Sequence, residues 1–143
     1  MLKLVLASDH GGFELKEIIK KYLAELGGYA VNDLGTHSAE AVDYPAYGRR
    51  AAEAVASGQA ERGIIFCGTG TGISIAANKT AGIRAANCTS VYLAEMSRRH
   101  NDANILALGG RSVEPELAKK IVKIWLDTPF EGGRHARRVE QIG

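Results

Sequence analysis

The chain has 143 residues, 45% hydrophobic and 24% charged, the size and balance of one soluble domain able to bury a core without disulfide or metal staples. A net charge of +2 is too small to point to nucleic acid or an anionic membrane as partner. The two cysteines, Cys67 and Cys88, form neither a Cys-x-x-Cys pair nor a zinc spacing, no stretch approaches the ~20 apolar residues of a membrane span, and the N-terminal apolar run is too short for a signal sequence, so a cytoplasmic protein is expected.

Residues 2–8 read as a buried strand. Residues 13–26 place Phe13, Leu15, Ile18, Ile19, Tyr22, Leu23 and Leu26 at helical spacing, and Gly27 and Gly28 stop that helix. A second strand is expected over 29–35, then a helix over 45–58 with Pro45 in its first turn and Gly58 at its end. The run RGIIFC, 62–67, is the clearest buried strand; a glycine loop and a helix over 73–79 follow. Strands over 83–88 and 103–110 alternate with helices over 90–100 and 114–128, and the tail from Gly132 is compatible with a helix. This alternation predicts a single α/β domain over 1–143: a three-layer Rossmann-like fold with a five-stranded parallel sheet, helices on both faces, right-handed crossovers and the flavodoxin-like order 2-1-3-4-5. Ligands of such sheets bind at the carboxyl ends of the strands, near the switch between strands 1 and 3. That rule selects Ser8-Asp9-His10-Gly11, Cys67-Gly68-Thr69 and Asn87-Cys88-Thr89.

The loop CGTGTG, 67–72, admits three readings. A nucleotide cradle fits poorly. There is no Gly-x4-Gly-Lys-Ser/Thr run, Ile73 stands where a dinucleotide fingerprint needs its third glycine, and no acid lies between Asn87 and Tyr92 to hold a ribose. A plain tight turn explains one or two of Gly68, Gly70 and Gly72, but less readily all three. The third reading is an oxyanion site, in which successive backbone N–H groups and the start of the next helix face a developing negative charge. Cys67 then stands at that helix end, where thiol pKa values fall, as a candidate general base. The alternative for Cys67 is a small buried hydrophobe, which is also the reading for Cys88.

Asp9 and His10 directly follow the first strand. Arg134 and Arg138 share one face if the tail is helical, as two guanidiniums suited to a phosphate or as a solvated basic end. Arg98 and Arg99 close a helix, where cations complement the helix dipole. His100 and Asn101 enter the approach to strand 5, where a titratable histidine could shuttle protons. No metal-ligand spacing is present.

Together SDHGGFELK, DYPAYG, CGTGTGISIAANK, SRRHNDANILALGGR and EGGRHARR resemble the sugar-phosphate isomerase family that contains type B ribose-5-phosphate isomerases and galactose-6-phosphate isomerase, and the resemblance runs along nearly the whole chain. It implies aldose–ketose isomerisation without metal or cofactor. It implies Cys67 as the base moving a proton between C2 and C1, His100 as the acid of ring opening, and Thr69 as an orienting group. The backbone from Gly68 through Gly70 and Thr71 to Gly72 would hold the enediolate. Asp9, His10, Tyr44 and Asn101 would line the sugar site, and Arg134 and Arg138, with His10 and Arg111, the phosphate site. One branch of the family has a glutamate base where this chain has Ile73, so the resemblance is to the cysteine branch. It further implies a homodimer or homotetramer with sites at the subunit interface. The alternatives are an isomerase of a six-carbon aldose 6-phosphate, allose or galactose in type, and a non-catalytic sugar-phosphate-binding module.

Overall fold

The computed structural model describes residues 1–143. Eleven elements follow one another: β1 (Leu2–Ser8), α1 (Phe13–Leu26), β2 (Tyr29–Asp33), α2 (Tyr44–Ala56), β3 (Arg62–Cys67), α3 (Thr71–Ala77), β4 (Ala85–Asn87), α4 (Val91–Arg99), β5 (Ile105–Gly109), α5 (Pro115–Asp127) and α6 (Arg134–Ile142). All strand pairs are parallel. No helix is long and apolar enough to cross a membrane.

The sheet order is β2-β1-β3-β5-β4, so the last two strands are exchanged relative to the expected 2-1-3-4-5. Burial explains the exchange. All five residues of β5 are buried, whereas β4 has only three residues, Ala-Ala-Asn, all half-buried. A central parallel strand is covered on both faces and needs apolar residues throughout. Ile-Leu-Ala-Leu-Gly meets that requirement, and Ala-Ala-Asn can only occupy an edge.

Alternation along the strands sorts the core into two layers. Leu4, Leu6, Ile64, Phe66, Leu106 and Leu108 face one side, where α1, α4 and α5 cover them with large residues such as Ile19, Leu23, Ile121 and Trp125. Val5, Ala7, Ile65, Cys67, Ile105 and Ala107 face the other side, covered by α2 and α3 through Ala51, Ala52, Ile73 and Ala77. This second layer is thin. At Gly48 of α2 an added Cβ would lie 2.9 Å from the carbonyl oxygen of Ile73, so α2 and α3 approach backbone to backbone.

Two polar devices complete the frame. Lys16 is fully buried on α1; its Nζ meets Asp33 at 2.5 Å, and Lys20 reaches the same carboxylate at 2.9 Å. Burial raises the pKa of Asp33, but hydrogen bonds from Lys16, Lys20 and the Gly35 amide outweigh it and hold the carboxyl below its ordinary value. At the β4 edge, the Asn78 side chain pairs with both backbone groups of Ala85, accepting from its N–H at 2.7 Å and donating to its carbonyl at 3.0 Å.

Candidate active site

At the carboxyl end of the sheet three loops pack on one another through glycine. A Cβ on Gly110 would lie 2.5 Å from the Gly11 carbonyl oxygen, one on Gly109 would lie 2.7 Å from Thr69, and one on Gly12 would overlap the Phe66 backbone. The three loops can meet only because these side chains are absent. Hydrogen bonds Gly110 N–H to Cys67 carbonyl at 2.8 Å and Arg111 N–H to Gly68 carbonyl at 2.9 Å seal the contact.

Cys67 ends β3 with its side chain 5% exposed, and its Sγ accepts the Gly70 N–H at 3.2 Å. Gly70 has φ of 80°, a left-handed conformation that turns its amide back onto the sulfur and starts α3 at Thr71. The Thr71 amide donates to Thr69 Oγ1 at 3.2 Å. The Gly68 and Thr69 amides have no protein acceptor. Gly72 lies inside α3 beneath the Tyr44 ring, which an added Cβ would meet at 2.7 Å. The three alternating glycines therefore serve three purposes: Gly68 lies under the Arg111 guanidinium, Gly70 supplies the turn, and Gly72 makes room for Tyr44.

Around this loop stand the other residues expected from the first strand. Asp9 is 7% exposed, and its Oδ1 accepts the Gly12 N–H at 3.0 Å, closing the β1–α1 turn. The backbone of Val42 brackets Nδ1 of His10, with its N–H at 3.1 Å and its carbonyl oxygen at 3.2 Å, which leaves Nε2 free. Arg111 makes no ion pair. Asp9, His10, Tyr44, Cys67, Gly68, Thr69, Gly70, Thr71, Gly72 and Arg111 are thus gathered at one end of the sheet.

His100, Asn101, Arg134 and Arg138 are not with them. His100 caps the C-terminus of α4, and Asn101 gives its carbonyl to Arg84, which precedes β4. Both precede β5, whereas Cys67 is the last residue of β3. In register Gly63 pairs with Ile105 and Cys67 with Gly109, so the two groups are separated by at least the four-residue strand between them, about 13 Å. The tail is a helix, α6, so Arg134 and Arg138 do share a face, and neither makes an ion pair. His135 of α6 stacks on His100, with ring centroids 4.2 Å apart and planes 14° from parallel. Burial, then the charges of His100 and Arg134, lower the His135 pKa. The residues expected at the site therefore fall into two groups at opposite ends of the sheet.

A metal was not expected from sequence spacing, yet the fold brings His100, Glu131 and His135 together, with their ligand atoms within 4.8 Å of one another. The stacked rings point their lone pairs along parallel planes instead of at one centre, and Arg134 and Arg138 add repulsion for a cation. These residues do not make a preformed metal centre.

Sequence reasoning selects Asn87 only as the end of a strand and gives it no role, and it misses Arg98. Asn87 donates to the Thr69 carbonyl at 3.3 Å and to Thr71 Oγ1 at 3.1 Å, tying β4 to the glycine loop; its place at a strand's carboxyl end was the available signal. Arg98 was read as a helix-dipole complement, but it is 5% exposed and bonded outside its own helix.

The model of the ribose/galactose isomerase family matches residues 4–142. The chain belongs to that family. It is 54% identical over 142 residues, 99% of this chain and 95% of the relative, to ribose-5-phosphate isomerase B of Escherichia coli strain K12. It is 42% identical over 143 residues, 100% of this chain and 94% of the relative, to D-erythrulose-4-phosphate isomerase of Pectobacterium atrosepticum. Among solved structures, the ribose-5-phosphate isomerase B of Clostridium thermocellum superposes with a TM-score of 0.98 at 59% identity, covering 99% of this chain and 95% of that one. The family, the parallel sheet and isomerase chemistry thus agree with the motifs read from the sequence.

Proposed function

We propose that this protein interconverts ribose 5-phosphate and ribulose 5-phosphate, in active sites that each combine the carboxyl end of one chain's sheet with the amino end of a partner's. The observation that carries the proposal is the division of the family's motifs between the two sheet ends. The glycine loop, His10 and Arg111 come from one copy. His100, Asn101, Arg134 and Arg138 come from the other. A twofold dimer makes two such sites from identical halves.

In each site His100 gives a proton to the ring oxygen as its bond to C1 breaks, and the C1 hydroxyl releases its proton to solvent, leaving the open-chain aldehyde. The Cys67 thiolate takes the C2 proton. The electron pair moves into the carbonyl, the free Gly68 and Thr69 amides face the resulting enediolate oxygen, the O2 proton passes to O1, and the thiol returns its proton to C1, leaving a ketone at C2 and a hydroxyl at C1. The Gly70 N–H bond to Sγ supports the thiolate. Asp9, Tyr44, Thr71, Gly72 and Asn101 line the sugar, and Thr69 orients the loop. His10, Arg111, Arg134 and Arg138 take the phosphate dianion. No step calls on a metal or an organic cofactor. Two free thiols, Cys67 and Cys88, support action in a reducing compartment such as the cytoplasm. The higher identity to the ribose 5-phosphate relative than to the four-carbon one supports a five-carbon substrate.

Activity toward four-, five- and six-carbon aldose phosphates gives the substrate from the largest kcat/KM. Mixing two inactive variants tests the composite site. Cys67→Ala and His100→Asn subunits, unfolded and refolded together, form mixed dimers in which one of two sites is wholly native. About a quarter of all sites then recover, given random pairing. Sites contained within one chain recover nothing.

A further inference from the structure

Arg98 lies in the last turn of α4, yet its guanidinium is buried and leaves its own helix. Nε donates to the Thr128 carbonyl at 3.1 Å. Nη1 donates to Asp102 Oδ1 and to the Ala103 carbonyl, both at 2.8 Å. A charge this buried is tolerated only where such bonds replace its hydration. Its acceptors lie in two separate segments. Asp102 and Ala103 belong to the turn that carries His100 and Asn101, and Asp102 has φ of 48°, the only positive value outside glycine. Thr128 begins the linker from α5 to α6, and from that linker hang Glu131, Arg134, His135 and Arg138. A second tie joins the same segments, the Glu131 N–H donating to the Arg99 carbonyl at 3.1 Å.

We infer that Arg98 is a positioning residue, which locks the His100–Asn101 turn and the arginine-bearing helix α6 into one rigid unit. The inference rests on the composite-site reading above, since it gives that unit its use: docking a proton donor and a phosphate clamp onto another subunit as one piece. The fork geometry of arginine suits this task, because one planar group reaches both segments at once. A lysine has a single nitrogen head and cannot bridge them. The left-handed Asp102 adds the other half of the device. Without the Arg98 bond the turn has less to hold it in a conformation that costs a non-glycine residue free energy.

The test compares Arg98→Lys with Arg138→Ala and the parent enzyme. Three quantities are measured: kcat/KM for ribose 5-phosphate, the inhibition constant of inorganic phosphate, and the rate at which iodoacetamide alkylates Cys67. Arg98→Lys is expected to lower kcat/KM and weaken phosphate inhibition, each about 10-fold, because small misplacements of positioned groups are costly. Cys67 alkylation, which reports the other half-site, should stay within about twofold. Asp102→Gly removes the carboxylate while accepting the left-handed backbone, and should move the same two quantities in the same directions by a smaller factor, about threefold. It carries the test if Arg98→Lys does not fold. Unchanged phosphate inhibition in the folded variant overturns the inference, as does a change in alkylation as large as the loss of activity. If Arg138→Ala also leaves phosphate inhibition unchanged, the failure lies with the phosphate reading itself; if only Arg138→Ala weakens it, the failure is confined to Arg98.

Discussion

At the carboxyl end of the sheet the chain is shaped by glycine: Gly11, Gly12, Gly109 and Gly110 let three loops touch backbone to backbone. At the amino end no glycine occurs from Arg98 to Asn104, and long side chains do the joining instead, through Arg84, Arg98 and Asp102. The contrast follows from what each end has to hold. A proton in flight between two carbons needs a base and amides fixed to fractions of an ångström, and backbone at close approach gives the least freedom. A phosphate at the far end of a sugar needs charge and reach, which arginine supplies. Under the proposed mechanism the carboxyl end, through Cys67, should therefore set the rate of proton transfer, and the amino end, through Arg134 and Arg138, should share the grip on phosphate with His10 and Arg111.

Substitutions can break that division. Cys67→Ala has the largest expected effect: kcat falls about 10²–10⁴-fold while KM changes little, measured by steady-state kinetics at saturating ribose 5-phosphate. A variant that lost KM and kept kcat would reverse the assignment of the two ends. Next, Asp33→Asn takes from the buried Lys16 its nearer charged partner, leaving the half-exposed Glu17 at 3.2 Å, and should cost about 3 kcal/mol in urea unfolding. The parent's Asp33 carboxyl is held below its ordinary value, so its contribution is complete above about pH 4 and is lost as pH falls through the folded pKa. The variant should lack that acid-side decline in stability. Arg138→Ala comes third: KM for ribose 5-phosphate should rise about tenfold, with a smaller fall in kcat, because binding energy at a remote group also orients the reacting carbons. The slow use of unphosphorylated ribose should be unaffected, and an equal loss on both sugars would make α6 an element of general stability. Smallest is Cys88→Ala. Burial raises the Cys88 thiol, and the side chain packs in the large-residue layer away from Cys67. A melting experiment should register a loss of about 1 kcal/mol, with kcat unchanged.

Much of this was written in periodicity. Leu4-Val5-Leu6-Ala7 and Ile64-Ile65-Phe66-Cys67 are apolar on both faces, so they had to be central strands, and the glycine-rich turns after them had to lie at the carboxyl end. The exchange of β4 and β5 was harder to read, because Ile83 and Arg84 inflate the apparent length of a strand that is only Ala85–Asn87. The separation of the expected site residues was legible in principle: Cys67 ends a strand, His100 precedes one, and in a parallel sheet those are opposite ends. The resemblance already implied sites at the subunit interface, but it did not assign which residues lie at which end of one chain. Arg98 could not be found from sequence at all, since a cation in a last helical turn looks the same whether it faces water or bridges two distant segments.

Asn78 has a consequence for how these molecules behave when crowded. Its carboxamide sits on the open side of β4 and offers Ala85 an acceptor and a donor in the places a neighbouring strand would use. A passing extended peptide meets an edge only three residues long whose first residue is already engaged. The sheet is thereby closed to a sixth member on that side, and strand addition, the first step toward fibrils, has no template there.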